Sequence, residues 1–178
     1  QAETPEQVAI VCTPGTNEAA MSATLTFTSD SNASADQVVA LTCVGVEPEI
    51  LLTPATTLTI GGGGVHVGSS AVGTVRVTNP SSGDLGITAM TMGGINPSEF
   101  SFTDHSCAGF TPNCFTPFTV SASPDFEDVV MRCTPAGRGT RTASLGLPGN
   151  QASGDSGVDL SCTGTQPNMT LSAVGGGV

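Results

Sequence analysis

The chain has 178 residues, only 11 % of them charged, yet its net charge is −11 because fifteen acidic residues face four arginines and no lysine. That balance excludes nucleic acid and anionic membrane as partners, since both need a basic surface. Trp and Tyr are absent and aromatics total 4 %, so the core must be built from Val, Leu, Ile, Ala, Met and a few Phe. No run approaches the ~20 apolar residues of a membrane helix, so no membrane insertion is expected in this segment.

Residues 1–20 hold no charged segment followed by an apolar run, so no signal peptide is expected there; either one has been removed or the chain starts inside a longer protein. From Cys12 the chain reads CTPGTNEAAMSATLTF, and around Cys43 it reads VALTCVGVEP. The run GGGG follows at 61–64. VGTVRVTN (72–79) alternates, with Val75 and Val77 on one face and Thr74, Arg76 and Thr78 on the other. CAGFTPNC (107–114) brackets a short loop with two cysteines. TASLGL puts Ala143, Leu145 and Leu147 on one face, and GVDLSC does the same with Val158, Leu160 and Cys162. Gly, Pro, Asn and Ser clusters such as NPSSGD and LPGNQASGDSG separate these runs. No stretch combines helical periodicity with caps. Short, regularly spaced strands predict an all-β chain of immunoglobulin-like sandwich type.

The stretch beginning CTPAGRGTRTASLGL at Cys133 and closing with VDLSCTGTQP repeats the sentence written from Cys12 to Pro48. SATLTF falls on TASLGL, and LTCVGVEP on LSCTGTQP. The period is about 120 residues, far above the ~20–50 of a solenoid, so the repeating unit is a whole domain. The expected organisation is the back half of one domain (1–47), a complete domain (48–166) and the first strand of a following one, or a donor strand (167–178). The six cysteines form no CxxC pair of the kind a structural metal site uses. Disulfides and an oxidising compartment are the expectation. Repetition points to Cys12–Cys43 and Cys133–Cys162, leaving Cys107–Cys114. Each outer bridge closes a loop of about 30 residues, worth ~3–4 kcal/mol in the chain-entropy model.

PEILLTPATTLTIGGGGVHVGSSAVGTVRVTNPSSGDLGITAMTMGGINPSEFSF resembles the front half of an ASH (Hydin-type) domain. The family pattern is a proline-bounded strand, a Gly-Val-Gly segment, an alternating strand ending in Thr-Asn, a Leu-x-Ile strand and a Phe-Ser. VVMRCTPAGRGTRTASLGL and VDLSCTGT resemble its back half. Cys12 and Cys133 stand where the family has a core Phe before x-Pro, and Cys43 and Cys162 where it has Gly; their joint change in both copies supports the pairing. The resemblance implies PapD-like sandwiches in tandem, found in large bacterial secreted or surface proteins, and it implies no activity.

The candidate sites are sparse. His66 lies between Val65 and Val67 on an alternating segment, facing solvent or a partner strand. His105 follows Asp104 before Cys107, but adjacent residues on an extended segment point opposite ways, and no nucleophile elbow is present. DFED (125–128) and SDSNASAD (29–36) offer too few oxygens for calcium and read as solvated turns. GGGG has no helix or Lys after it, so close approach of another backbone or flexibility explains it better than a phosphate. Asn32 and Asn168 stand in glycosylation sequons. No catalytic, metal or cofactor site is expected, and the chain is not read as an enzyme.

Two functions remain. In the first, the chain is a structural repeat of an extracellular protein whose partners are neighbouring copies or adjacent repeats, head to tail. The half-domain of 1–47 would expose Val8, Ile10, Leu25, Phe27, Val39 and Leu41, and neighbours would have to cover them. The array would be one covalent chain or separate subunits. In the second, it is a surface adhesin that uses the Cys107–Cys114 loop, with Phe110 and Phe115 beside it, as a preorganised ligand site.

Overall fold

The computed structural model describes residues 7–14, 20–28, 36–103, 114–123, 125–153 and 156–167. They divide into two units, 1–47 and 48–178. In the first, β1 (Ala20–Phe27) and β2 (Gln37–Val44) form an antiparallel pair running from Ala20 opposite Val44 to Phe27 opposite Gln37. The sequence repeat predicts a third strand before them, but residues 7–14 join no ladder. A strand exists only against a neighbour, and among the described residues this one has none.

The second unit begins with β3 (Leu51–Thr53), β4 (Thr57–His66), β5 (Ala71–Thr78), β6 (Leu85–Ile87) and β7 (Thr91–Gly93). A single 3-10 turn at Pro97–Glu99 leads to β8 (Phe100–Thr103), β9 (Phe118–Val120), β10 (Phe126–Cys133), β11 (Gly139–Leu147) and β12 (Ser156–Thr165). One four-stranded sheet has the order β3-β5-β10-β8 and the other β4-β12-β11-β7. All neighbours are antiparallel except β4 and β12, which run parallel. The first strand of the unit is thus split at Pro54. Its beginning, β3, pairs with β5 in one sheet, and its continuation, β4, pairs with β12 in the other. Proline has no N–H to give a ladder, which suits it to the crossing point.

Alternation decides which side chains enter. Val75 and Val77 of β5, Val129 and Met131 of β10, and Phe100 and Phe102 of β8 meet Ile60, Leu145, Leu147, Val158 and Leu160 of the other sheet in a single core. Arg76 and Thr74, one residue out of phase, stay at the surface. Cys133 of β10 and Cys162 of β12 join the two sheets through a disulfide, Cα to Cα 6.6 Å, at the centre of that core. Two facing antiparallel-dominated sheets stapled in this way form an immunoglobulin-like β-sandwich.

Two details of the sequence find their reasons here. Asn79, which ends the VRVTN run, is fully buried and holds the adjoining loops together. Its Nδ2 donates to the carbonyls of Gly83, Val120 and Ser121, and its Oδ1 accepts from the amide and hydroxyl of Ser81. The tetraglycine is a bulge: between the pairs Ile60–Cys162 and Gly164–Val65, β4 spends residues 61–64 against Thr163 alone. Gly61 and Gly64 have φ of 66° and 96°, and a Cβ on Gly64 would come within 2.6 Å of the Thr165 methyl. The bulge and its positive φ values account for Gly61 and Gly64; their close neighbours are side chains of Val65, Ala71 and Thr165 rather than another backbone, and Gly62 and Gly63 have open space. Among the described residues no helix is long and apolar enough to cross a membrane.

Candidate functional site

The apolar surface of residues 7–47 is the feature the fold leaves unexplained. β1 and β2 have each other as neighbour and, among the described residues, no further strand. The Cys12–Cys43 disulfide, Cα to Cα 6.4 Å, ties the extended segment 7–14 to β2. Between them lies an open groove of about 450 Å³ lined by Ile10, Cys12, Met21, Ala23, Leu41 and Cys43. Val8 is 60 % exposed, Ile10 51 %, Phe27 44 % and Val39 45 %. Leu25, Leu41 and Cys43 are half-buried.

The sequence repeat makes these exposures informative. Val8 and Ile10 stand at the positions of Val129 and Met131, Phe27 at that of Leu147, and Val39 at that of Val158. Those four are buried in the complete sandwich. Leu25 and Leu41 correspond in the same way to Leu145 and Leu160, each 1 % exposed. What covers the second set is identifiable: β4 pairs with β12, β7 pairs with β11, and the opposite sheet closes the face. None of these has a counterpart among the described residues of the first unit. Among the described residues the first unit thus keeps an apolar strand face and unpaired strand edges.

The other sequence candidates are dispersed. His66 ends β4 and is exposed. Asp104, His105 and Cys107 lie outside the described residues, as do Asn32, Asn168 and Phe110. Cys114 is disulfide-bonded, and the proposed Cys107–Cys114 bridge falls on the undescribed side. Within DFED, Asp125 accepts from the amides of Ser121 and Phe126, and Asp128 pairs with Arg76, so these carboxylates are committed to the protein itself. Among the described residues no group of three or more His, Cys, Asp and Glu gathers around one point. Phe115 is half-buried, stacks edge-on against Phe118 at 6.2 Å and packs on the core.

Two clusters carry no signal in the sequence because their members are far apart in it. Arg76 donates to both carboxylate oxygens of Asp128 at 2.8 Å and lies 3.9 Å over the ring of Phe126. The hydrogen bond from Arg76 holds the Asp128 carboxyl below the usual carboxylate range and raises the guanidinium in return. Glu99, at the end of the 3-10 turn, accepts from the amide of Ala136 at 2.9 Å and lies 3.5 Å from Arg141. Both are internal ties between strands or loops.

No protein-family model matches the chain. No curated protein matches it either. Solved structures similar to it include the ASH/PapD-like domain 7 of human CEP192, at 10 % identity and TM-score 0.46, covering 68 % of this chain and 89 % of that one. WR4, an MSP family member of C. elegans, is similar at 12 % identity and TM-score 0.41, with 64 % and 97 % covered. A family 123 glycoside hydrolase from Clostridium perfringens is similar at 8 % identity and TM-score 0.44, but only 28 % of that chain is involved. At these values the fold rests on the molecule's own features. The strand order, the split first strand and the inter-sheet disulfide make residues 48–167 an immunoglobulin-like sandwich.

Proposed function

We propose that the chain is a non-catalytic structural module of an extracellular or cell-surface protein and the building block of an extended, end-to-end array. One observation carries the reading: the hydrophobic positions that are closed in residues 48–167 stand open in residues 7–44. Fully burying one Val or Leu side chain is worth ~1.5–3 kcal/mol, so an open face of this kind is a strong drive to association. Covering it with part of another copy joins two different surfaces, and such a heterologous contact propagates into a filament unless rotation closes a ring. The two described disulfides fit an oxidising compartment. The acidic balance and the resemblance to ASH repeats support the bacterial, secreted kind of module.

Light scattering of the purified chain, coupled with limited proteolysis, tests this. The expected result is a species heavier than the 17.6 kDa subunit, with residues 7–47 protected in the assembly and cut after dilution to the subunit. A 17.6 kDa monomer in which residues 7–47 resist protease overturns the reading.

A further inference from the structure

The edge of β2 that pairs with no other described strand has a matching sequence elsewhere in the same chain. In the complete sandwich the equivalent edge, that of β12, is filled by β4 running parallel to it, with Thr57 opposite Asp159, Leu58 opposite Leu160, Thr59 opposite Ser161 and Ile60 opposite Cys162. Residues 57–65 read TLTIGGGGV. Residues 170–178 read TLSAVGGGV, with the Thr, the Leu, the last three glycines and the final Val coinciding. Asn168 and Met169 alone separate Pro167 from Thr170, where residues 49–56 separate Pro48 from Thr57. The segment therefore copies β4 and leaves out β3. It is written for the sheet that contains the β11–β12 hairpin, and so for the sheet of its sequence repeat, β1–β2.

We propose that residues 170–178 of one copy add as a parallel strand to the free edge of β2 in the next copy, as β4 adds to β12. The register follows from the repeat: Thr170 opposite Ala40, Leu171 opposite Leu41, Ser172 opposite Thr42 and Ala173 opposite Cys43. Main-chain hydrogen bonds hold such an added strand, and its alternate side chains select the site. Leu171 then lies beside half-buried Leu41, and Ala173 stands by the Cys12–Cys43 bridge where β4 has Ile60 by Cys162. Val174 stands where Gly61 has its positive φ, so the register is defined by the four residues before it.

Charge favours this meeting over others. The protein carries −11, so copies repel across most of their surface. Residues 37–46 and 166–178 contain no ionisable side chain, and these two strips approach without that penalty. Donor and acceptor are separated in sequence by the sandwich of residues 48–167, and the isotope arm of the test below distinguishes a strand given by a second copy from one given by the same chain. Each subunit then gives one strand and receives one, which is the open-ended geometry of a filament.

The proposal rests on the array reading and specifies its contact, and the test separates the two. The full chain is prepared as wild type, as Leu171→Asp and as Ala173→Val, and the mass of each is read by light scattering. Position 171 follows residues 48–167 in sequence, and denaturant unfolding of each variant checks that the sandwich stays folded. Leu171→Asp is expected to abolish self-association, leaving a single subunit, while Ala173→Val keeps the assembly. In a mixture of 15N-labelled and unlabelled subunits, a photocrosslinking residue at 171 is expected to capture peptides containing Leu41 from the other isotope. Assembly that persists in Leu171→Asp, or crosslinks confined to one isotope, overturns the strand addition and leaves the array reading standing. A wild-type chain that stays at 17.6 kDa overturns the strand addition, and one that does so with residues 7–47 resistant to protease overturns the array reading as well.

Discussion

The hairpins β1–β2 and β11–β12 carry nearly the same local text, and each has a cysteine on its second strand bridged to one just upstream of its first. They differ in what surrounds them. Leu147 and Val158 of the second hairpin are 0 % and 3 % exposed, whereas Phe27 and Val39, their counterparts in the first, are 44 % and 45 % exposed. The hairpin and its staple are local products of the sequence. Burial is supplied by strands the hairpin does not contain: β4, β5, β7, β8 and β10 for one, and nothing among the described residues for the other. Equivalent residues are therefore core in one unit and exposed or half-buried surface in the other.

The sharpest way to break that comparison is to truncate one leucine in each hairpin. Leu145→Ala opens a cavity in a closed core and is expected to lower the stability of the sandwich by ~2–5 kcal/mol. Leu25→Ala, at the equivalent position, is expected to leave the unfolding of the sandwich unchanged and to weaken self-association instead. Denaturant unfolding of the sandwich and light scattering, run on both variants, read the two effects separately. Equal destabilisation by both substitutions would show that the first hairpin is already closed.

The disulfides sharpen it next. Cys133 and Cys162 are 0 % and 1 % exposed, while Cys12 is exposed and Cys43 half-buried. Thiol exchange needs access to sulfur, so mild reductant is expected to open Cys12–Cys43 first. Alkylation followed by peptide mapping orders the two events. Assembly should protect Cys12–Cys43, because an added strand would lie beside Cys43.

The smallest effect concerns the outer face of β10. Asp128, paired with Arg76, occupies the position that Gln7 holds in the first unit. Its folded-state pKa is depressed, chiefly by the hydrogen bond from Arg76. The stability it contributes is present above the unfolded carboxylate pKa and is lost as pH falls through the depressed folded one. Asp128→Gln is expected to lower the Tm slightly at neutral pH, since exposed pairs contribute little. Salt should shrink the difference, and it should vanish once acid protonates Asp128 in both states. A gap that persists at low pH would assign the loss to packing on Phe126 instead.

Period-two alternation made much of the sandwich legible in advance. Val75 and Val77, then Ala143, Leu145 and Leu147, then Val158, Leu160 and Cys162 all point inward as their spacing requires. Of the residues the repeat led one to expect open, Val8, Ile10, Phe27 and Val39 are exposed, while Leu25 and Leu41 are half-buried. Less legible was the extent of pairing: the repeat implies a strand before β1, yet residues 7–14 join no ladder. Phe115, read as a loop aromatic, packs on the core.

By itself, then, the sequence determined strand faces, hairpins, the repeated text and the acidic net charge, because these depend on neighbours along the chain or on sums over it. Tertiary structure alone decided what depends on contacts between distant residues. Pro54 could be seen to bound a strand, but only the fold shows β3 and β4 parting into different sheets there, with β4 parallel to β12. GGGG could be seen as unusual, but only the ladder shows residues 61–64 bulging against Thr163. Asn79 ends an alternating run like any turn residue. Its role as a fully buried hub arises because Gly83, 4 residues on, and Val120 and Ser121, 41 and 42 residues on, converge on it. Local spacing fixes which way a side chain points, and only the closing of one sheet on another fixes what it meets.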